Sequence, residues 1–351
     1  MSARPEGEPP LADALGETAA PVLVTDLASK TLAVKEGETF LYSDLEGNLD
    51  HGGDYGLGLY SKDTRFLSSF RMTISGRDPV LLSSSAERGY MSYVDLTNPD
   101  LRGDGTVTVP QQTLNIRRIR AINGKLFERV RVKNYNAFPV SLDLEFLFGA
   151  DFSDIFEVRG MTRTRAAPTQ PPRRTREGVE FVDDGRDGVR RITRVAFGPE
   201  PTSVGIEGDL ATAVFRLDLD PFQTRLVTIT IEPVVDELGA PDIDFDVAVH
   251  ELRRSYEEWE RSSTSIVTDN ELFNQLLDRS LRDVRALFTR TDGGSILAAG
   301  IPWYVTIFGR DALIASHQLL MVNPGPAREA LELLAGLQGT TVDDWRDEQP
   351  G

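Results

Sequence analysis

The chain has 351 residues, 40% of them apolar and 26% charged, with no cysteine and a net charge of −17. That length provides for two or three domains with ample core, and the absence of cysteine excludes disulfides, thiolate metal sites and cysteine nucleophiles. The acidic balance argues against nucleic acid or an anionic membrane surface as a partner, since both repel it.

Residues 1–30, beginning MSARPEGEPPLADALGETAAP, are rich in Pro, Glu, Gly and Ala and predict a loose tail. No basic stretch precedes an apolar core there, so no signal peptide is expected. Nor does any run of about 18 apolar residues occur, so no membrane span is expected. Together these point to the cytoplasm.

From about Thr31 to Pro233 the hydrophobic period is two. In PVSLDLEFLF, Val140, Leu142, Leu144, Phe146 and Phe148 alternate mostly with polar neighbours, as a half-buried strand requires. Val227, Ile229 and Ile231 alternate with Leu226, Thr228 and Thr230 in the same way. Asn123-Gly124 joins TLNIRRIRAI to KLFERVRV and supplies the positive backbone angles of a tight hairpin. Short strands with turns between them recur for roughly 200 residues, which predicts a large antiparallel sandwich over 31–236. One interruption, RGMTRTRAAPTQPPRRTREG at 159–178, reads either as a solvated loop or as one reaching another domain or a ligand.

Beyond Asp242 the period becomes helical. Val249, Leu252, Tyr256 and Trp259 form one stripe, a linker helix within 237–268. A second helix starts near Asn270, with Asp269 and Asn270 as caps, and carries a broad apolar face through Phe288. A third is expected from about Asp311 to Met321 and a fourth from Pro326, with Leu331, Leu333, Leu334 and Leu337. An apolar face of that breadth needs partners, so 269–351 reads as part of a larger helical domain.

Several chemistries are missing. There is no Walker loop, no Gly-x-Ser-x-Gly elbow, and GLGLYS at 56–61 lacks the third glycine of a dinucleotide site. His51, His250 and His317 are too far apart for a metal motif. The acidic clusters Asp50/Asp54, Asp151/Asp154/Glu157 and Asp343/Asp344/Asp347/Glu348 lack calcium-loop spacing and read as solvated turns. No metal and no cofactor are expected.

The segment GIPWYVTIFGRDALIASHQ at 300–318 stands apart. Trp303 and Tyr304 could be loop core, and Asp311 could simply favour a helix start. The combination also suits a sugar, whose ring face is covered by aromatic rings and whose hydroxyl rim is held by a carboxylate and a guanidinium. On that reading Trp303, Tyr304, Arg310 and Asp311 are substrate-binding residues, with Arg310 and Asp311 orienting each other.

The stretch GIPWYVTIFGRDALIAS also resembles the start of the helical-barrel domain in bacterial amylo-α-1,6-glucosidase (glycogen debranching) type proteins. More distantly, its aromatic and Arg-Asp-Ala-Leu pattern is similar to the glucoamylase-like clan. GLGLYSKDTRFLSSF at 56–70 and FGADFSDIFEVRG at 148–160 look like the N-terminal sandwich domain of the same proteins. The resemblance covers about residues 35–351. It implies a multidomain β-then-α chain, an antiparallel supersandwich followed by the first helices of an (α/α)6 toroid. Such a toroid needs upward of roughly 200 residues, and only 82 run from Asn270 to Gly351, so the chain reads as ending inside it.

The implied reaction is inverting hydrolysis of an α-glucosidic bond, one carboxylic acid protonating the leaving oxygen and a second carboxylate activating water. The resemblance gives Arg310 and Asp311 the hydroxyls of the glucose at the cleavage point, and Trp303 and Tyr304 the walls of that subsite. It puts the acid and base on later loops, beyond Gly351; Asp343 and Asp344 are not expected to serve. The implied partner is an α-glucan or oligosaccharide. The alternative is a non-catalytic carbohydrate-binding or scaffolding protein whose working part is the sandwich.

Overall fold

A computed structural model describes residues 30–49, 56–86, 88–161, 170–185, 187–291, 293–344 and 348–351. The tail up to residue 29, Asp50, His51, Asp54, Asp347 and positions 162–169 of the Arg/Pro-rich loop lie outside the described residues.

The strands of the first half are, in chain order, β1 (Thr31–Glu36), β2 (Thr39–Asp44), β3 (Gly58–Ser61), β4 (Thr64–Leu67), β5 (Ser69–Ile74), β6 (Val80–Ser85), β7 (Met91–Thr97), β8 (Leu101–Gly103) and β9 (Thr106–Val109). They continue with β10 (Leu114–Asn123), β11 (Lys125–Asn134), β12 (Val140–Gly149), β13 (Gln170–Arg174), β14 (Gly178–Asp184), β15 (Arg190–Gly198), β16 (Ser203–Glu207), β17 (Leu210–Leu219) and β18 (Thr224–Val235).

An eight-stranded sheet, β13-β14-β15-β18-β11-β10-β7-β6, faces two four-stranded sheets, β16-β17-β12-β5 and β1-β2-β3-β4. Their pairings are antiparallel. The alternating residues make the core: Leu142, Leu144, Phe146 and Phe148 of β12, with Phe70 and Met72 of the neighbouring β5, share one buried cluster with Val227, Ile229 and Ile231 of β18. Each inward side chain of this size contributes roughly 1.5–3 kcal/mol by leaving water. The predicted sandwich is therefore present. At the hairpin, Asn123 pairs directly with Lys125, and Gly124 takes φ +70°, where a side chain would also press on Ala240.

The sandwich also buries charge. Arg118 and Arg120 of β10 and Glu128 of β11 are essentially inaccessible. Glu128 accepts from Arg118 Nε at 2.5 Å and from Arg120 Nε at 2.7 Å. Both guanidiniums lie over the Phe70 ring, at 5.3 and 5.0 Å. Burial alone would raise the Glu128 pKa, but Arg118 and Arg120 outweigh it and hold the carboxyl below its ordinary value.

After a short helix α1 (Ile155–Val158) within the sandwich, the helices are α2 (Phe245–Ser262), α3 (Glu271–Leu287), α4 (Gly309–Gln318) and α5 (Gly325–Gly336). The α2 stripe of Ala248, Leu252, Tyr256 and Trp259 is buried, with Leu252 and Tyr256 packed on Tyr90, Met91 and Ala121 of the eight-stranded sheet. Asn270 caps α3, accepting from Phe273 N. Phe288, expected to extend that helix, instead opens a hairpin of β19 (Phe288–Thr291) and β20 (Gly294–Leu297). Much of the apolar face of α3 stays exposed, including Leu272, Phe273 and Leu276. No helix among the described residues is long and apolar enough to cross a membrane.

The sandwich is tied to the helices by Lys35 of β1, which is fully buried. Its Nζ donates to Ala286 O at 3.0 Å and Thr289 Oγ1 at 2.7 Å, and next to it Glu36 accepts from Arg285 at 2.9 Å. Burial pulls the Lys35 pKa from 10.5 down to about 7. An amine with a lowered folded pKa penalises the fold below that pKa, and the penalty is relieved as pH rises from about 7 toward 10.5. The expected result is a gain on the order of 2 kcal/mol for the wild type relative to Lys35→Met between pH 7 and pH 9. Parallel denaturant titrations of the two proteins measure it; a pH-independent difference would refute it.

Candidate functional site: the junction of sandwich and helices

The three segments singled out in the sequence meet in space. In the first, Arg65 binds Asp151 of the second through Nε at 3.1 Å and through Nη2. Main-chain bonds reinforce this, Arg65 N to Ser153 O at 2.8 Å and Ile155 N to Asp63 O at 3.1 Å. Asp154 and Glu157 form a capping box on α1. This acidic cluster is thus a structural brace and not a solvated turn.

The third segment docks on that brace. Phe40 and Tyr60, stacked at 4.8 Å, form a cluster with Ile155, Ala298 and Val305, against which Ile301 packs. The Trp303 indole covers Gly56, whose φ of +64° and missing side chain leave the ring its place. Thr306 donates to the Asp63 carboxyl, whose pKa burial nonetheless raises. The loop 300–304 closes on itself, with Tyr304 N donating to Gly300 O at 2.9 Å and Gly300 N to Tyr304 O at 3.2 Å.

Trp303 is half-buried and Tyr304 is 45% exposed. Both lie beside Arg159, whose guanidinium is 5.8 Å from the Trp303 ring centre and 6.0 Å from that of Tyr304. Sequence reasoning did not single out Arg159, although it closes the FGADFSDIFEVRG segment and opens the Arg/Pro-rich loop. At that first residue the loop does reach the helical half.

Arg310 and Asp311 are exposed in the first turn of α4. Among the described residues neither makes a side-chain hydrogen bond or ion pair, so they do not orient each other. Asp311 does not cap the helix; Phe308 occupies the cap position without a side-chain bond and packs edge-on against Tyr304 at 5.8 Å. The structure brings the two aromatics together but joins neither to Arg310 or Asp311 by a polar or cation–π contact. Asp311 instead borders a cavity of about 360 Å³, walled by Val284, Leu287, Leu297, Ile314 and Leu319, with Gln318 as the other polar group.

Of the other polar candidates, Asp343 forms a bridge with Glu348 and Asp344 is exposed. His250 and His317 are exposed on α2 and α4. No cluster of potential metal ligands occurs among the described residues.

Residues 34–230 match the family model of the N-terminal domain of (some) glycogen debranching enzymes. Among solved structures, a protein from the human microbiome described as a kojibiose phosphorylase aligns with a TM-score of 0.58 at 7% identity, over 79% of this chain and 42% of that one. This chain therefore spans less than half the length of that structure. The Slr1438 protein of Synechocystis aligns with a TM-score of 0.39 at 8% identity, over 58% of this chain and 95% of its own. A galactose mutarotase-like protein of Lactobacillus casei gives 0.34 at 8% identity, over 58% and 100%. No curated protein matches.

Proposed function

This chain belongs to the family of the N-terminal domain of (some) glycogen debranching enzymes, and from that premise we propose that it forms the front part of a cytoplasmic enzyme hydrolysing α-glucosidic bonds of branched glucans. Trp303 and Tyr304 wall the subsite for the glucose at the cleavage point, and Arg310 and Asp311 bind its hydroxyls. The sandwich over 31–236 carries this segment, 237–268 links it, and 269–351 begins the helical barrel. The general acid and base come from further loops of that barrel.

The observation that carries this reading is the convergence of the three segments on one junction. Arg310 and Asp311 remain uncommitted in the first turn of α4, in the same segment as the aromatics that Gly56 and Arg159 brace. A charged pair with no internal partner is free to bind hydroxyls, and such hydrogen bonds are strong ones. The exposed apolar side chains Leu272 and Leu276 of α3, Ile314 of α4 and Leu331 of α5 support packing against further helices.

Calorimetric titration of the chain with isomaltose and maltose tests the subsite. Saturable binding that disappears in the Arg310→Ala/Asp311→Ala double variant is expected. Absent binding, or binding indifferent to that double change, would sink the assignment.

A further inference from the structure

The far end of the sandwich exposes aromatic rings that the core does not use. Tyr135 is 53% exposed, Phe138 43% and Phe222 61%. They stand on two turns, 135–139 and 220–223, that one buried residue holds together. Asn134 Nδ2 donates to Phe138 O at 2.9 Å, to Asp220 O at 3.2 Å and to Leu219 O at 3.3 Å. Its Oδ1 accepts from Asn136 N at 2.8 Å, and Asn134 N donates to Gln223 O at 3.0 Å. A third turn joins through Tyr135 N to Thr113 O at 3.0 Å and Asn136 Nδ2 to Thr113 Oγ1 at 3.0 Å. The rings are thus mounted on a stiff base and not on loose loops.

Phe222 carries the strongest indication. Its φ is +60°, a conformation that costs a bulky residue energy and that glycine would adopt freely. The ring held there is largely in water. Lys133 lies 4.7 Å above the Tyr135 ring. Leu226, 51% exposed, faces Arg131 across the strands, and Arg131 Nε has no hydrogen-bond partner. Among the described residues the three rings do not stack on one another, and the turns that carry them also hold the Asn134 and Asn136 amides and the Lys133 ammonium. Separate ring faces among donors and acceptors match successive pyranose units, each with an apolar face and a hydroxyl rim. A protein-docking patch would instead be expected to join its apolar side chains into one surface.

We propose that Tyr135, Phe138 and Phe222 form a glucan-binding platform, separate from the junction that carries Trp303. The helical half meets the β10–β11 hairpin at its other end, where Asn123 Nδ2 donates to Glu251 at 2.9 Å. From Lys125 to Asn134 the strand runs roughly 30 Å at about 3.4 Å per residue. The platform therefore engages a polysaccharide chain well away from the α4 subsite. The assignment of an α-glucan rests on the function proposed above.

Native electrophoresis of the full chain through gels containing glycogen, barley β-glucan or no polysaccharide tests the proposal. Glycogen is expected to retard the wild type, and Tyr135→Ala/Phe138→Ala/Phe222→Ala to raise the apparent Kd about tenfold or more. Phe222→Gly, which suits the backbone, provides a variant that keeps the fold and should lose part of the retardation. Equal mobility of wild type and variants in every gel overturns the platform. Retardation by β-glucan alone, abolished by the variants, upholds the platform and removes the α-glucan function. A ring-dependent change in hydrodynamic size without polysaccharide identifies self-association and overturns the proposal.

Discussion

Replacing Glu128 by alanine is expected to destabilise the protein by about 3–5 kcal/mol, because it leaves two buried guanidiniums without their counter-ion. Among the described residues Arg118 Nη2 and Arg120 Nη1 and Nη2 already have no hydrogen-bond partner, and the carboxylate left to act on both guanidiniums, Asp44, makes no hydrogen bond to either. Arg118 would keep only Glu46 O and Asn48 Oδ1, at 3.0 and 2.8 Å. Urea denaturation should show a lowered midpoint with an unchanged slope. The triple replacement Arg118→Met/Arg120→Met/Glu128→Leu supplies the control. It removes all the charges together and should come out near neutral, or more stable than wild type. A mild effect for Glu128→Ala alone would mean that water enters the triad.

Asp311→Ala is expected to weaken isomaltose binding by about 10- to 100-fold, the loss that follows when a charged group worth about 1.5–3 kcal/mol per hydrogen bond is removed. Because Asp311 is exposed and makes no cap bond, stability should change by no more than about 1 kcal/mol, its favourable position near the helix N-terminus. Arg310→Ala should behave likewise, and Arg310→Lys should recover only part of the affinity, since an ammonium lacks the planar fork. Calorimetry and melting curves on the same samples separate the two readouts. A large fall in stability with intact affinity would make Asp311 a structural residue.

The sequence was most legible where burial follows a single period. PVSLDLEFLF became β12 with its predicted inward face, and the Leu252, Tyr256 and Trp259 stripe was found buried. It was silent or misleading where another force overrode the pattern. Arg118 and Arg120 share a face with Ile116 and point into the core, because Glu128 lies opposite Arg120 on the next strand. Phe288 continues the helical spacing of α3, yet the chain leaves the helix there to pair as β19. At the site, Trp303 and Tyr304 were visible as an unusual pair. Gly56 and Arg159 were not, because they act only through contacts over 100 residues away in sequence. Asp63 and Asp151 likewise acquire meaning only when Arg65 and Thr306 arrive beside them.

The place of β18 has a consequence for how the chain is made. It is the last strand of the sandwich in sequence, yet it lies in the middle of the eight-stranded sheet, between β15 and β11. Until residues 224–235 have left the ribosome, the sheet exists as two unconnected halves, β13-β14-β15 and β11-β10-β7-β6, each with an open edge ready to pair with a neighbour. Nascent chains stalled before Thr224 should therefore be prone to aggregation, whereas chains extended past Val235 can close the sheet. The helix that follows, α2, docks on Tyr90, Met91 and Ala121, which were made long before, so it meets a surface whose sheet β18 has just joined into one.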